Sequence, residues 1–174
     1  MKGLLLYNKR ARRGSLGKRI AEIVELFKQE SIELEPTLIE FGKNPFEGHE
    51  DIEIAVTAGG DGTINYVVNM MRAKGINPQL GIIPAGTAND FASAIGMRRK
   101  IMEAARQIAK GKERTVDAGL VNQLKCAGAV VGSEIERSAV ELERGGINTP
   151  CAVGGNETLV DDINLLIADQ YGDT

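Results

Sequence analysis

The chain has 174 residues, a formal net charge of -3 and a hydrophobic share of 43%. That length suits one domain, or one domain with a small appendage, and the apolar share is enough for a hydrophobic core. No window approaches the roughly 18 uninterrupted apolar residues of a membrane span, which argues against a transmembrane helix.

Charge is distributed unevenly along the chain. Residues 1–20 carry seven Lys or Arg and no acid, whereas residues 123–174 carry nine acids and three bases. The basic turn at residues 9–13 can attract polyphosphates or anionic lipid headgroups, or it can be a solvated loop. The negative total charge and the lack of aromatics among the basic residues argue against nucleic acid as a partner. The two cysteines form no zinc pattern and fit a reducing compartment, so we expect a cytoplasmic protein.

Strands and helices are predicted to alternate along the first 121 residues. The predicted strands cover residues 4–7, 34–41, 52–58, 80–83 and 115–121, and the predicted helices cover residues 15–30, 64–75, 90–95 and 100–110. This alternation predicts an α/β fold with a wound, mostly parallel sheet flanked by helices. Residues 42–51 leave room for only a short crossover between the second and third strands, without a predicted helix.

Residues 123–174 form an acidic tail that we expect to be partly helical. Ser133 and Glu136 match a capping box, which predicts a helix to about Arg144. Asn156 could cap a second helix that runs through Asp169. We therefore divide the chain into a domain, residues 1–122, and a separate tail, residues 123–174.

The segment Ala58-Gly59-Gly60-Asp61-Gly62-Thr63-Ile64-Asn65 connects the third predicted strand to a helix. Glycines let a ligand approach the backbone closely, and the N-terminus of the helix favours a phosphate. A carboxylate beside a phosphate requires a cation such as Mg²⁺, or a hydroxyl donor, between them. The motif, with Asp61 at its centre, therefore predicts a metal-nucleotide site. The alternative is a turn that needs glycines only for its conformation.

A second segment, Pro84-Ala85-Gly86-Thr87-Ala88-Asn89-Asp90-Phe91, follows the fourth predicted strand. Asn89 and Asp90 are ordinary helix N-caps, and we expect Asp90 to cap the helix that follows. Turns at the carboxyl ends of neighbouring parallel strands face the same edge of the sheet, where open α/β sheets bind ligands. We expect the two segments to form one site.

Together the two segments resemble the diacylglycerol kinase catalytic domain and its soluble bacterial lipid-kinase relatives, within the NAD kinase-like superfamily. The family pattern is G-G-D-G-T-x-N-E followed by P-x-G-T-x-N-D-F/L-A, and the resemblance covers roughly residues 2–122. It implies that residues 1–122 are the nucleotide-binding catalytic domain of an ATP-dependent lipid kinase. Such an enzyme transfers the γ-phosphoryl group to a lipid hydroxyl, such as that of diacylglycerol, at a membrane surface. The enzyme would be a transferase of phospholipid metabolism that uses ATP and Mg²⁺ and can lie peripherally at the inner membrane face.

The resemblance also implies roles for individual residues. Asp61 is expected to be the catalytic residue and to organise the metal indirectly, while Asn8 closes one side of the pocket. The residues implied to bind the nucleotide are Asn8, Gly59, Gly60, Asp61, Gly62, Thr63, Asn65, Thr87 and Asn89.

The chain departs from the family pattern at several places. Tyr66 stands where the family usually has Glu, and Ile39-Glu40-Phe41 stands where relatives carry a nucleotide-contacting Thr. No match to the second, β-rich domain of the family follows Asn122, so we expect that domain to be absent here. Two alternatives therefore stay open. The chain could be an NAD kinase-like enzyme, or it could be a non-catalytic nucleotide-binding domain that dimerises through the sheet edge or the tail.

Overall fold

The computed structural model describes residues 1–9, 11, 16–121, 128–131 and 160–167. Within them lie seven strands and four α-helices. In chain order these are β1 (Lys2–Tyr7), α1 (Ile20–Gln29), β2 (Glu33–Leu38), β3 (Ile54–Gly59), α2 (Asp61–Lys74), β4 (Gln79–Pro84), α3 (Asp90–Ala94), α4 (Ile101–Ala109), β5 (Lys112–Val121), β6 (Gly128–Val131) and β7 (Val160–Ile167). No helix in these ranges is long and apolar enough to cross a bilayer.

One sheet contains all seven strands, in the order β2-β1-β3-β4-β7-β5-β6. The pairs β2–β1, β1–β3 and β3–β4 are parallel, as the alternation of strands and helices predicted. Hydrophobic side chains of β1, β3 and β4 are almost completely buried, including Leu4, Ile54 and Ile83. Each such side chain contributes about 1.5–3 kcal/mol through removal of apolar surface from water. The parallel centre of the sheet is therefore the hydrophobic core, and the two glycine-rich turns follow its strands β3 and β4.

The helix α2 confirms the predicted pattern of apolar residues. Ile64, Val67, Val68 and Met71 are spaced to share one face, and all four are buried. Gly75 ends the helix in the left-handed conformation, with φ of 63°, and its N–H donates to the carbonyl of Arg72. Glycine adopts that conformation without the steric penalty of a Cβ, which explains why the helix ends where predicted.

The sheet is mostly parallel, as predicted, and β5 runs antiparallel to its neighbour β7. Two predictions about element type or position need correction. The predicted helix from Asn156 through Asp169 is wrong, because β7 (Val160–Ile167) is a strand in that range. It pairs with β4 on one side and β5 on the other, so hydrogen bonds on both edges outweigh the helical spacing of its apolar residues.

The start of α1 also differs, since a 3-10 turn at Gly17–Arg19 precedes it. Ser15, the predicted cap, lies outside the described residues, as do the predicted helix at 133–144, both cysteines and Asn122. The division of the chain at residue 122 stays a prediction, although β6 and β7 from the predicted tail join the sheet of the first domain.

Candidate functional site

The two glycine-rich turns lie side by side at one edge of the sheet. The first follows β3 and the second follows β4, and these strands are paired in parallel with Gly59 opposite Pro84. The N–H of Ala85 donates to the carbonyl of Gly59 over 2.8 Å, which extends the pairing into the turns. The expectation that both turns face the same edge is confirmed.

The backbones of the two turns touch at Gly60 and Gly86. A Cβ added to Gly86 would lie 2.4 Å from the Cα of Gly60, and a Cβ added to Gly60 would lie 3.0 Å from the Cα of Gly86. The first distance is too short for a side chain at Gly86, and the second would need a small shift of the neighbouring backbone. Gly86 was not among the predicted site residues, although it is part of the second glycine-rich segment.

Gly59 is required for packing within the first turn. A Cβ at this position would lie 2.5 Å from the Cβ of Thr63, whose side chain is almost fully buried. Thr63 therefore uses its side chain to close the junction between β3 and α2, and its N–H donates to the carbonyl of Gly60 over 2.8 Å. These two predicted phosphate-binding residues also build the turn.

Asp61 connects the first turn to α3. Its carboxylate oxygens accept hydrogen bonds from the backbone N–H groups of Phe91, over 3.1 Å, and Asp90, over 3.3 Å. These are N–H groups of the first turn of a helix, which need an acceptor from outside the helix. Asp61 thus provides the cap that we expected from Asp90, because the helix has no side-chain cap of its own.

Asn89 holds the second turn in a strained conformation. Its φ of 57° places it in the left-handed region, which is uncommon for a residue with a side chain. The side-chain oxygen accepts from the N–H of Gly86 over 2.7 Å, and the side-chain nitrogen donates to the carbonyl of Gly86 over 3.0 Å. Asparagine tolerates this backbone region, and its amide fixes Gly86 against Gly60.

Gly62 is exposed in the first turn, and Thr87 is exposed in the second turn together with Ala88 and Asp90. A Cβ added to Gly62 would meet no atom within 4 Å, so nothing inside the described protein requires glycine there. Glycine in a helix costs about 0.5–1 kcal/mol relative to alanine. Its presence in the first turn of α2, where a helix offers backbone N–H groups to anions, fits a ligand that approaches the backbone closely.

The other predicted site residues lie at the same edge or one turn along α2. Asn8 follows β1, and its N–H donates to the carbonyl of Ala58 over 3.4 Å. Asn65 is half-buried in α2, where its side-chain oxygen accepts from Asn69 over 3.1 Å. The predicted residues are thus brought together around the ends of β1, β3 and β4.

The described side chains contain no group of three His, Cys, Asp or Glu that could hold a metal ion. Mg²⁺ in nucleotide sites is bound by one or two carboxylates together with phosphate oxygens and waters. Asp61, a carboxylate at the edge where phosphates are expected, is compatible with that arrangement. The nucleotide and water would then supply the remaining ligands.

A loop replaces the helix that normally connects parallel strands between β2 and β3. Residues 39–53 contain no helix, as the short crossover predicted. The N–H of Gly42 donates to the hydroxyl of Tyr66 over 2.9 Å, which ties the loop to α2. Tyr66 stands where the family pattern has Glu, and no role was predicted for it.

Comparisons with known proteins agree with the resemblance of the two turns. Residues 2–121 match the family model of the diacylglycerol kinase catalytic domain. A diacylglycerol kinase of Bacillus subtilis (strain 168) is 34% identical over 124 residues, which are 68% of this chain and 41% of that protein. A diacylglycerol kinase of Staphylococcus aureus (strain JH9) is 38% identical over 93 residues, 53% of this chain and 30% of that protein.

Solved structures agree with the fold. A crystal structure of a diacylglycerol kinase from Bacillus anthracis str. Sterne has a TM-score of 0.59 with this chain at 30% identity. The alignment covers 68% of this chain and 42% of that one. The chain therefore spans less than half the length of the relatives that it matches.

Proposed function

We propose a lipid kinase function for this chain, which belongs to the diacylglycerol kinase catalytic domain family, whose model its residues 2–121 match. The reaction is transfer of the γ-phosphoryl group of ATP to a lipid hydroxyl, such as that of diacylglycerol, at a membrane surface. Related proteins of Bacillus subtilis and Staphylococcus aureus carry the name diacylglycerol kinase. This supports a kinase-family enzyme, and the lipid acceptor is the part that we add.

The observation that carries the proposal is the contact between the two glycine turns. Gly60 and Gly86 approach so closely that neither tolerates a Cβ without a shift. The contact fixes the N-terminus of α2 at the carboxyl edge of the sheet, and no described atom lies within 4 Å of the position that a Cβ of Gly62 would occupy. Such an edge combines backbone N–H groups with open space, which suits the phosphates of a nucleotide.

Phosphoryl transfer depends mostly on positioning and charge neutralisation, so the protein needs few reacting groups. In this proposal the backbone of Gly59, Gly60 and Gly62 holds the phosphates, and Asp61 orients water bound to Mg²⁺. The metal, when bound, neutralises negative charge on the transferred group. Thr87, exposed on the second turn, and Asn8, at the end of β1, would border the nucleotide on either side.

A single assay with two acceptors and one reaction without an acceptor tests the proposal. The purified chain is incubated with γ-labelled ATP and Mg²⁺, and with diacylglycerol in mixed micelles, with NAD, or with no acceptor. We expect label in the lipid fraction only. Label in NADP would instead support the NAD kinase-like alternative, and label in neither product would contradict a kinase function for this chain.

A non-catalytic nucleotide-binding domain is the second candidate, because Tyr66 and the segment Ile39-Glu40-Phe41 depart from the family pattern. Calorimetry distinguishes this candidate from the first. Binding of ADP without phosphorylated lipid in the assay would favour it, whereas turnover of the lipid would exclude it.

A further inference from the structure

Phe41 is the most exposed large hydrophobic side chain among the described residues, with 58% of its surface accessible. It follows β2 at the carboxyl edge of the sheet, the same edge at which the glycine turns lie. A single exposed apolar residue is ordinary in a protein. Phe41 differs from the ordinary case because its loop is fixed while its ring remains open to solvent.

Two aromatic residues fix the loop around Phe41. Phe46 is fully buried and anchors the middle of the crossover in the core. The hydroxyl of Tyr66 accepts from the N–H of Gly42 over 2.9 Å, and it lies within hydrogen-bond distance of the carbonyls of Glu40 and Lys43. The Tyr66 side chain therefore connects α2 to the backbone of Glu40, Gly42 and Lys43 in the loop.

The rings of Phe41 and Tyr66 pack edge to face. Their centroids are 4.9 Å apart, and the ring planes meet at 64°. This arrangement is favourable for two aromatic rings and sets the orientation of the Phe41 ring. An edge-to-face contact also leaves much of the Phe41 ring uncovered, in agreement with its exposure.

The aromatic pair lies one helical turn from the open glycine. Gly62 and Tyr66 are four residues apart in α2, so they share one side of the helix, about 6 Å apart along its axis. No described atom lies within 4 Å of the position that a Cβ of Gly62 would occupy. A ligand that contacts the backbone at Gly62 can therefore extend along α2 toward Phe41.

We propose that Phe41 forms the base-binding surface of the nucleotide site, with the base stacked on its ring while the phosphates lie at Gly62. This proposal rests on the proposed function, since it needs a nucleotide at the N-terminus of α2. The ribose spans the space between the two contacts. Tyr66 is a positioning residue, which holds the loop and orients the ring without contacting the ligand.

Stacking on an aromatic ring predicts a characteristic specificity. Every nucleobase has a π-face, so stacking favours nucleotides over inorganic polyphosphates and discriminates weakly between bases. We expect Phe41 to contribute to the affinity for ADP, ATP and GTP alike. It should contribute nothing to the affinity for tripolyphosphate, which has charge but no base.

Two substitutions at this position separate stacking from packing. Phe41→Leu keeps an apolar side chain but removes the aromatic face, and we expect the dissociation constant of Mg-ADP to rise about tenfold. The dissociation constant of Mg-tripolyphosphate, measured by calorimetry, should not change. Phe41→Trp restores an aromatic face, so its affinity for ADP should be at least that of the original protein.

Phe41→Trp also provides a direct signal, because the natural chain contains no tryptophan. We expect Mg-ADP to quench the fluorescence of the single tryptophan, and saturating tripolyphosphate to leave it unchanged. Equal weakening of ADP and tripolyphosphate in Phe41→Leu would instead indicate a general role in loop packing and would overturn the proposal. Unchanged ADP affinity in that variant would overturn it as well.

The same measurements separate this proposal from the proposed function. If the original chain binds ADP and phosphorylates lipid but Phe41→Leu behaves identically, only the base contact is wrong. If the original chain binds neither ADP nor tripolyphosphate, the nucleotide site is wrong, and the base contact fails with it.

Discussion

The N-terminus of α2 has a closed side and an open side. On the closed side Gly59 packs on Thr63, and Gly60 touches Gly86. The Asp61 carboxylate accepts hydrogen bonds from two backbone N–H groups of α3. On the open side a Cβ at Gly62 would meet nothing. Farther along that side of the helix, Tyr66 holds the exposed Phe41.

The contrast between the sides shows that one short motif both shapes the site through internal contacts and leaves backbone open to a ligand. Residues of the closed side determine the shape of the site through contacts within the protein, so substitutions there should reduce stability and ligand binding together. Residues of the open side have few internal contacts to lose. Substitutions there should reduce ligand binding without reducing stability.

The largest expected effect belongs to Asp61 on the closed side. Asp61→Ala removes the carboxylate near the phosphates and both of the hydrogen bonds to α3. We expect at least about a 100-fold loss of lipid phosphorylation and a loss of about 1–2 kcal/mol in unfolding free energy. Activity is measured by the acceptor assay, and stability by denaturant unfolding.

Asp61→Asn is the matched control for that variant. Its side-chain oxygen can still accept an N–H of α3, so stability should be largely restored, while the missing charge keeps activity low. Full activity in Asp61→Ala would contradict the role that we assign to this carboxylate near the metal. Equal stability of the Ala and Asn variants would contradict its role as a cap.

The next effect concerns the contact between the turns. Gly86→Ala places a Cβ 2.4 Å from the Cα of Gly60, a backbone atom that cannot move away cheaply. We expect a loss of about 1–3 kcal/mol in unfolding free energy, together with weaker ADP binding. Gly17→Ala is the control, because a Cβ there meets nothing within 4 Å. A Gly86→Ala protein as stable as this control would show that the turns do not need their close approach.

Gly62→Ala on the open side should increase the unfolding free energy, whereas Gly86→Ala decreases it. Replacing a helical glycine by alanine stabilises by about 0.5–1 kcal/mol, and no described atom opposes the added methyl group. A ligand that contacts the backbone should be displaced by that methyl group, so we expect ADP affinity to fall about tenfold, a cost of about 1.4 kcal/mol. Thermal unfolding and calorimetry on one preparation measure both changes. Stabilisation without loss of affinity would place the phosphates elsewhere.

The sequence predicted those helices and strands whose spacing of apolar residues and end residues are visible within the element itself. The helix α2 has buried residues at helical spacing and a glycine at its end, and both features were found as expected. The strand β7 has no such local signal, because its short apolar run also fits a helix. Its pairing with β4 and β5 comes from residues far away in the chain, which spacing does not reveal.

The sequence predicted where the candidate site lies. It did not predict which of its residues contact the protein and which are open to a ligand. Both turns were found because glycine, asparagine and aspartate at strand ends are visible in the sequence. Which glycine faces the protein and which faces a ligand depends on contacts between positions such as 60 and 86. The hydrogen bonds that Asp61 accepts from α3 likewise join residues about thirty positions apart. These contacts could not be derived from either motif alone.

The smallest expected effect tests how the open side is held together. Tyr66→Phe removes the hydroxyl that accepts from Gly42 and contacts the loop carbonyls, but it keeps the ring that packs on Phe41. We expect a loss of about 0.5–1.5 kcal/mol in unfolding free energy. The affinity for ADP should fall by a smaller factor than in Phe41→Leu, because the base keeps its aromatic surface.

A double-mutant cycle shows whether Tyr66 acts through Phe41. If the hydroxyl only orients the Phe41 ring, Tyr66→Phe has nothing left to disturb once Phe41 is leucine. The double variant should then bind ADP no more weakly than Phe41→Leu alone, a clear departure from additivity for two residues in contact. Additive losses of affinity would mean that Tyr66 contacts the nucleotide itself, and the open side would then have two ligand-binding aromatics in place of one.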